Sequence, residues 1–157
     1  MTRNLLFVLL ASCNPTDPGQ AGESANDSGP ASTFEAGVDD LESATAAHGE
    51  AVLAANDAEA VARVESDWWG TCQSTWEQMD TCWEAMSGCG MMEDGWSDWE
   101  NWMDEMWTAM QDHHDAMGSC GALGECHTME MDWQSQMSQM FDQMHGMQSS
   151  WSGDCDW

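Results

Sequence analysis

From about residue 38 onward, apolar side chains recur at intervals of three and four, and nowhere is there a sustained apolar/polar alternation. That period belongs to the α-helix. The clearest stripe is Trp96, Trp99, Met103, Met106, Met110, His113 and Met117, with Ser97-Asp98-Trp99-Glu100 as a capping box at its start and Gly118 as its stop. A second stripe is Cys126, Met129, Trp133, Met137, Met140, Met144, Met147 and Trp151, closing near Gly153. Upstream, Leu41, Ala44, His48, Val52, Ala55, Ala62 and Trp69 form a smaller stripe in an Ala-rich segment. Cys72, Trp76, Met79, Trp83 and Met86 follow it.

Gly70 lies between the two upstream stripes, and the helix count depends on it. A break near Asp67 to Thr71, with Ser74-Thr75-Trp76-Glu77 as a second capping box, gives four helices. If Gly70 is absorbed, one long helix runs from about Asp39 to Met86 and the total is three. No proline follows Pro30. Either way the expected fold is all-α, an antiparallel helical bundle of four helices, or three with a long first helix, stapled by disulfides.

The chain divides into three segments. Residues 1–12 begin with one basic residue, Arg3, and an uninterrupted apolar run from Leu5 that is far too short to span a bilayer, which needs about twenty residues. Leu10-Ala11-Ser12-Cys13 resembles the lipobox of bacterial lipoprotein precursors. The resemblance implies that 1–12 is a signal peptide, that cleavage precedes Cys13, and that Cys13 carries a lipid holding the mature protein to a membrane outside the cytoplasm. Asn14 is not the aspartate associated with inner-membrane retention in such lipoproteins, so the resemblance favours the outer membrane, with the domain periplasmic or surface-exposed. Residues 13–37 are the lipidated cysteine and a linker rich in Pro, Gly, Ser, Asn, Asp and Ala, with too little apolar surface to offset chain entropy. Residues 38–157 are the helical bundle domain, long enough for one modest core.

Charge narrows the partners. The 157-residue chain has two basic and 29 acidic side chains, a formal net charge of −27. Removing the signal leaves Arg63 as the only basic residue, and lysine is absent. Such a chain repels phosphates, so nucleic acid and polybasic contact with anionic lipid are disfavoured, while cations are attracted. The membrane partner is reached through the lipid alone; no protein partner is indicated.

Seven cysteines less Cys13 leave six: Cys72, Cys82, Cys89, Cys120, Cys126 and Cys155. None is spaced C-x-x-C, so zinc-ribbon, thioredoxin-like and covalent-haem signatures are missing, and an even number outside the cytoplasm points to disulfides. In a four-helix sketch Cys72, Cys120 and Cys126 fall at one end and Cys82, Cys89 and Cys155 at the other. Cys120 to Cys126 can close a local loop, and Cys82 or Cys89 can bridge to Cys155.

Fifteen methionines, eleven tryptophans and no tyrosine make an unusual core vocabulary. Thioether sulfur with imidazole suits Cu(I). On one helical face, Met110, His113, His114 and Met117 form one candidate soft-metal cluster, and Met140, Met144, His145 and Met147 form another. The competing reading is that methionine at this spacing fills the core, that His114 faces solvent, and that His48 stands alone on its Ala-rich face. H-E-x-x-H, calcium-loop, G-x-S-x-G, P-loop and Rossmann patterns are all missing, and nothing pairs a nucleophile with a base. The expected function is therefore non-enzymatic: a lipid-anchored binding protein, with Cu(I) as the first candidate ligand. The alternative is a structural or interaction lipoprotein of the cell envelope with no small ligand.

Overall fold

The computed structural model describes residues 30–87 and 96–148. They form four α-helices: α1 Pro30–Leu53, α2 Ala58–Ser87, α3 Trp96–Ser119 and α4 Leu123–Gln148. Each helix packs on its neighbours in the order α1, α2, α3, α4 and back to α1, so the all-α antiparallel bundle expected from the periodicity is the fold. No described helix is long and apolar enough to cross a membrane. The readings that fall on Cys13, Cys89, Trp151, Gly153 and Cys155 lie outside the described residues.

The first connection is not where the glycine suggested. The chain turns at 54–57, and α2 then runs unbroken through Gly70, so neither a break at Asp67 to Thr71 nor one helix from Asp39 to Met86 is correct. Asp57 sets the start: its Oδ1 accepts the backbone N–H of Ala60 at 2.7 Å, an N-cap that satisfies one of the helix's orphan donors. Gly70 is carried through because Trp68 and Cys72 on either side are buried, and their packing outweighs a propensity cost of about 1 kcal/mol. Ser74 to Glu77 therefore lies inside α2 and caps nothing. Similarly α3 begins at Trp96, which puts Ser97 within its first turn.

Gly70 is exposed, with open space where a Cβ would stand. Gly70→Ala is accordingly expected to stabilise the protein by about 1 kcal/mol, read as a raised midpoint in denaturant with an unchanged slope.

The first helix starts earlier than composition implies. Pro30 suits the first helical turn, where its missing N–H costs nothing. Phe34, inside the segment that reads as linker, is fully buried, with its ring 5.7 Å from those of Trp83 and Trp99. Tertiary burial of one aromatic side chain thus orders a turn that its polar neighbours would not hold.

Two apolar layers fill the bundle. The larger, from Phe34, Trp83 and Trp99 to Trp68 and Trp133, contains most of the buried tryptophans and methionines. The smaller, Val52, Val61, Met117 and Cys126, lies under the two short connections. At that end Cys120 and Cys126 form the expected local disulfide, with Cα atoms 5.5 Å apart. Cys82 is also disulfide-bonded. Cys72 is not: it is a free thiol buried in the middle of α2 rather than at a bundle end, because the helix break lies upstream of where Gly70 placed it.

Candidate metal centre

Between the two apolar layers the bundle buries a polar one. Each helix contributes one side chain to it: His48 from α1, Glu65 from α2, His113 from α3 and Glu130 from α4. None is more than 6% exposed. All four lie about two helical turns from the end that carries the short connections, so the antiparallel packing brings them to one level.

The contacts are short. His48 Nε2 is 2.8 Å from Glu65 Oε2, and His48 Nδ1 is 3.2 Å from Glu130 Oε1. His113 Nε2 lies 3.9 Å from Glu65 Oε2 and 3.1 Å from Glu130 Oε2. One nitrogen of His48, one oxygen of Glu65 and one nitrogen of His113 all fall within 4.8 Å of one another. Gln134 Nε2 donates to Glu130 Oε1 at 2.7 Å and to the Thr45 carbonyl at 2.8 Å, fixing the carboxylate from behind. His114 Nδ1 donates to the other oxygen of Glu65 at 2.9 Å.

Burying such groups is costly unless they pair. Burial by itself would lower the pKa of His48, but its bonds to Glu130 and Glu65 and their charges prevail and push it up to about 9. Glu130 is the converse: burial favours its neutral form, yet His113 and His48 bring it down to about 2. Cys72 stays a thiol, its pKa pushed up by burial and by the charge of Glu65. His113 Nε2 and Glu130 Oε2 are both buried and face each other at 3.1 Å.

Indoles enclose the layer. Trp68 packs on His48 with ring centroids 4.6 Å apart, and Trp133 stacks on His113 at 3.9 Å and 8°. On the α2/α3 face Trp76, Trp107, Trp69 and His114 stack in sequence, drawn alternately from the two helices, with centroids 5.2, 5.3 and 4.5 Å apart. This ladder holds the His114 ring edge-on to Glu65. His114 is therefore about a third exposed and engaged, rather than facing solvent.

No family model, curated protein or solved structure matches this chain.

The soft-metal residues named from the sequence are distributed through the bundle. Met110 and Met144 are buried in the larger apolar layer, and Met117 in the smaller; Met140 and Met147 are half-buried against the larger one. His145 lies at the surface, 2.9 Å from Glu42, in an exposed group with Asp39. Only His113 and His114 reach the polar layer. His48, which looked solitary, is its most fully paired member. Glu65 and Glu130 were missed because carboxylates abound in this chain and nothing local distinguishes a buried one.

The donor set is one that could hold a transition-metal ion. Two imidazoles and a carboxylate converging from different helices form a set used for borderline divalent ions. For bonds of about 2.1 Å a tetrahedral edge is about 3.4 Å, and the observed separations of 2.8 and 3.9 Å bracket it. Through its other nitrogen His48 meets Glu130, the carboxylate–histidine pairing that orients a ligating imidazole.

Proposed function

We propose that this protein is an envelope lipoprotein, tethered at Cys13, whose four-helix bundle binds a divalent transition-metal ion at His48, Glu65 and His113. Glu130 and Gln134 orient the ligands, and the acidic exterior concentrates cations around them. The reading is carried by one observation: four buried polar side chains, one from each helix, converge so that His48, Glu65 and His113 each present a ligand atom within 4.8 Å of the others.

The nitrogen and oxygen donors favour Zn(II), Fe(II) or Cu(II) over the Cu(I) that the methionine content suggests. The Cys120–Cys126 disulfide is in keeping with an oxidising compartment and so with the lipoprotein reading.

The test is titration of the disulfide-intact domain with Zn(II) against a chelator, with Co(II) as the spectroscopic probe and Cu(I) in parallel. The expected result is one tightly bound divalent ion per chain, with Co(II) bands of low symmetry and a loss of affinity of at least a hundredfold in His48→Gln and His113→Gln. Absence of binding by all three ions would leave a structural lipoprotein whose polar layer sets helix register. Cu(I) binding that survives both substitutions would instead point to the methionines.

A further inference from the structure

One side of the buried layer borders a groove. Between α3 and α4 runs a surface cavity of about 360 Å³ whose lining includes Asp112, His113, Ala116, Asp132 and Trp133. It is continuous with a second hollow of about 510 Å³ along the same two helices, the two sharing Ala109, Asp112 and Gln136, with Asp104 and Glu105 farther along. The stacked rings of His113 and Trp133 therefore face both ways. They are members of the aromatic and polar layer inside, and they line the groove outside.

Three observations give this groove a direction. His113 and Trp133 both line the groove although both are buried, and His113 Nε2 faces Glu130 Oε2 at 3.1 Å on the inner side. Asp112 and Asp132, one from each helix, are exposed among the lining residues and give the groove negative charge. The other path to the layer, past His114, is occupied by the ladder of Trp69, Trp107 and Trp76. A hydrated cation entering a groove with low-dielectric walls and carboxylates of one sign meets a focused field, and the first nitrogen ligand along that route is His113.

We infer that the α3/α4 groove is the entry route for the divalent cation, with Asp112 and Asp132 as capture carboxylates that pass it to His113. The inference rests on the metal-binding reading above, and kinetics separates the two. The cation exchanges its waters for Asp112 and Asp132 oxygens, then for His113, and nothing is oxidised or reduced.

The experiment is stopped-flow association of Zn(II) and Co(II), and chelator-driven release, for the full chain at low ionic strength. Asp112→Asn/Asp132→Asn is expected to slow association about tenfold, within the range electrostatic focusing supplies, and to flatten its salt dependence. Glu35→Gln/Asp40→Asn removes the same charge from α1, outside the groove, and should change the rate less than about twofold. Ala116→Phe, which narrows the groove, should slow association and release alike and leave the equilibrium affinity unchanged. Equal effects from the two charge pairs, or an Ala116→Phe variant with wild-type rates, would overturn the entry route while leaving the metal site standing. A wild-type domain that takes up no divalent ion would instead sink the metal reading itself, and the entry route with it.

Discussion

Glu65→Ala is expected to lower the unfolding free energy of the metal-free bundle by about 3–5 kcal/mol, whereas replacing all four polar residues with leucine should leave it unchanged or higher. The opposite signs follow from one cause. Glu65 meets His48 at 2.8 Å, His114 at 2.9 Å and His113 at 3.9 Å, so its removal takes a partner from three imidazoles at once and leaves Glu130 as the one buried carboxylate for His48. Removing the whole layer strands nothing, and the leucines extend the apolar layers above and below. Glu65→Gln keeps the shape while removing the charge, and should fall between the two. Denaturant unfolding with EDTA measures all three. With total stability of about 5–15 kcal/mol for a domain, the single variant loses a large fraction of what it has. The all-leucine variant should bind no Zn(II). A bundle that is more stable without its polar layer keeps that layer for something other than stability. An all-leucine variant as weak as Glu65→Ala would show instead that the layer is structural.

The helical period carried the architecture because each helix has to bury a stripe, and stripes of methionine and tryptophan are legible in any order of packing. The break at 54–57 was not legible from the stripe. Val52, Ala55 and Ala62 keep the apolar period across it, whereas Gly70 is the more conspicuous punctuation. The decisive signal was the smaller one, Asn56-Asp57 before Ala58-Glu59, in which Asp57 caps α2 and Glu59 sits in its first turn. That misplaced break also hid the site. With the turn at Gly70, His48 and Glu65 fall on one helix and cannot face each other across the bundle. With the turn at 54–57, His48, Glu65, His113 and Glu130 come to one level from the connecting end. The residues of the site are ordinary in sequence, and only the register between helices makes them a cluster. Composition pointed to sulfur because methionine is abundant, and most of those methionines fill the core, whereas the rare buried histidine and glutamate form the candidate site.

The same layer gives the metal-free and metal-bound proteins different pH dependences. His48 is raised from 6.5 to about 9, so the stabilisation it draws from Glu65 and Glu130 is complete below about pH 6.5 and is lost as pH rises through 9. Glu130 is lowered from 4.5 to about 2, so its contribution is complete above about pH 4.5 and is lost as pH falls through 2. The metal-free domain should therefore be most stable between about pH 4.5 and 6.5, and should lose roughly 3 kcal/mol between pH 6.5 and 9. Metal binding requires a neutral His48, and so releases its proton. Across that interval Zn(II) affinity should rise about tenfold per pH unit, and saturating metal should add about 1.4 kcal/mol per unit to stability. Thermal unfolding at pH 5.5, 7.0 and 8.5, with EDTA and with excess Zn(II), reads both limbs. The Tm difference between the two forms should widen steadily with pH, chiefly through the fall of the metal-free curve. A difference that stays constant across these three values would mean that no proton leaves His48 on binding. The ion would then sit on the carboxylates alone, with the imidazolium still bridging Glu65 and Glu130.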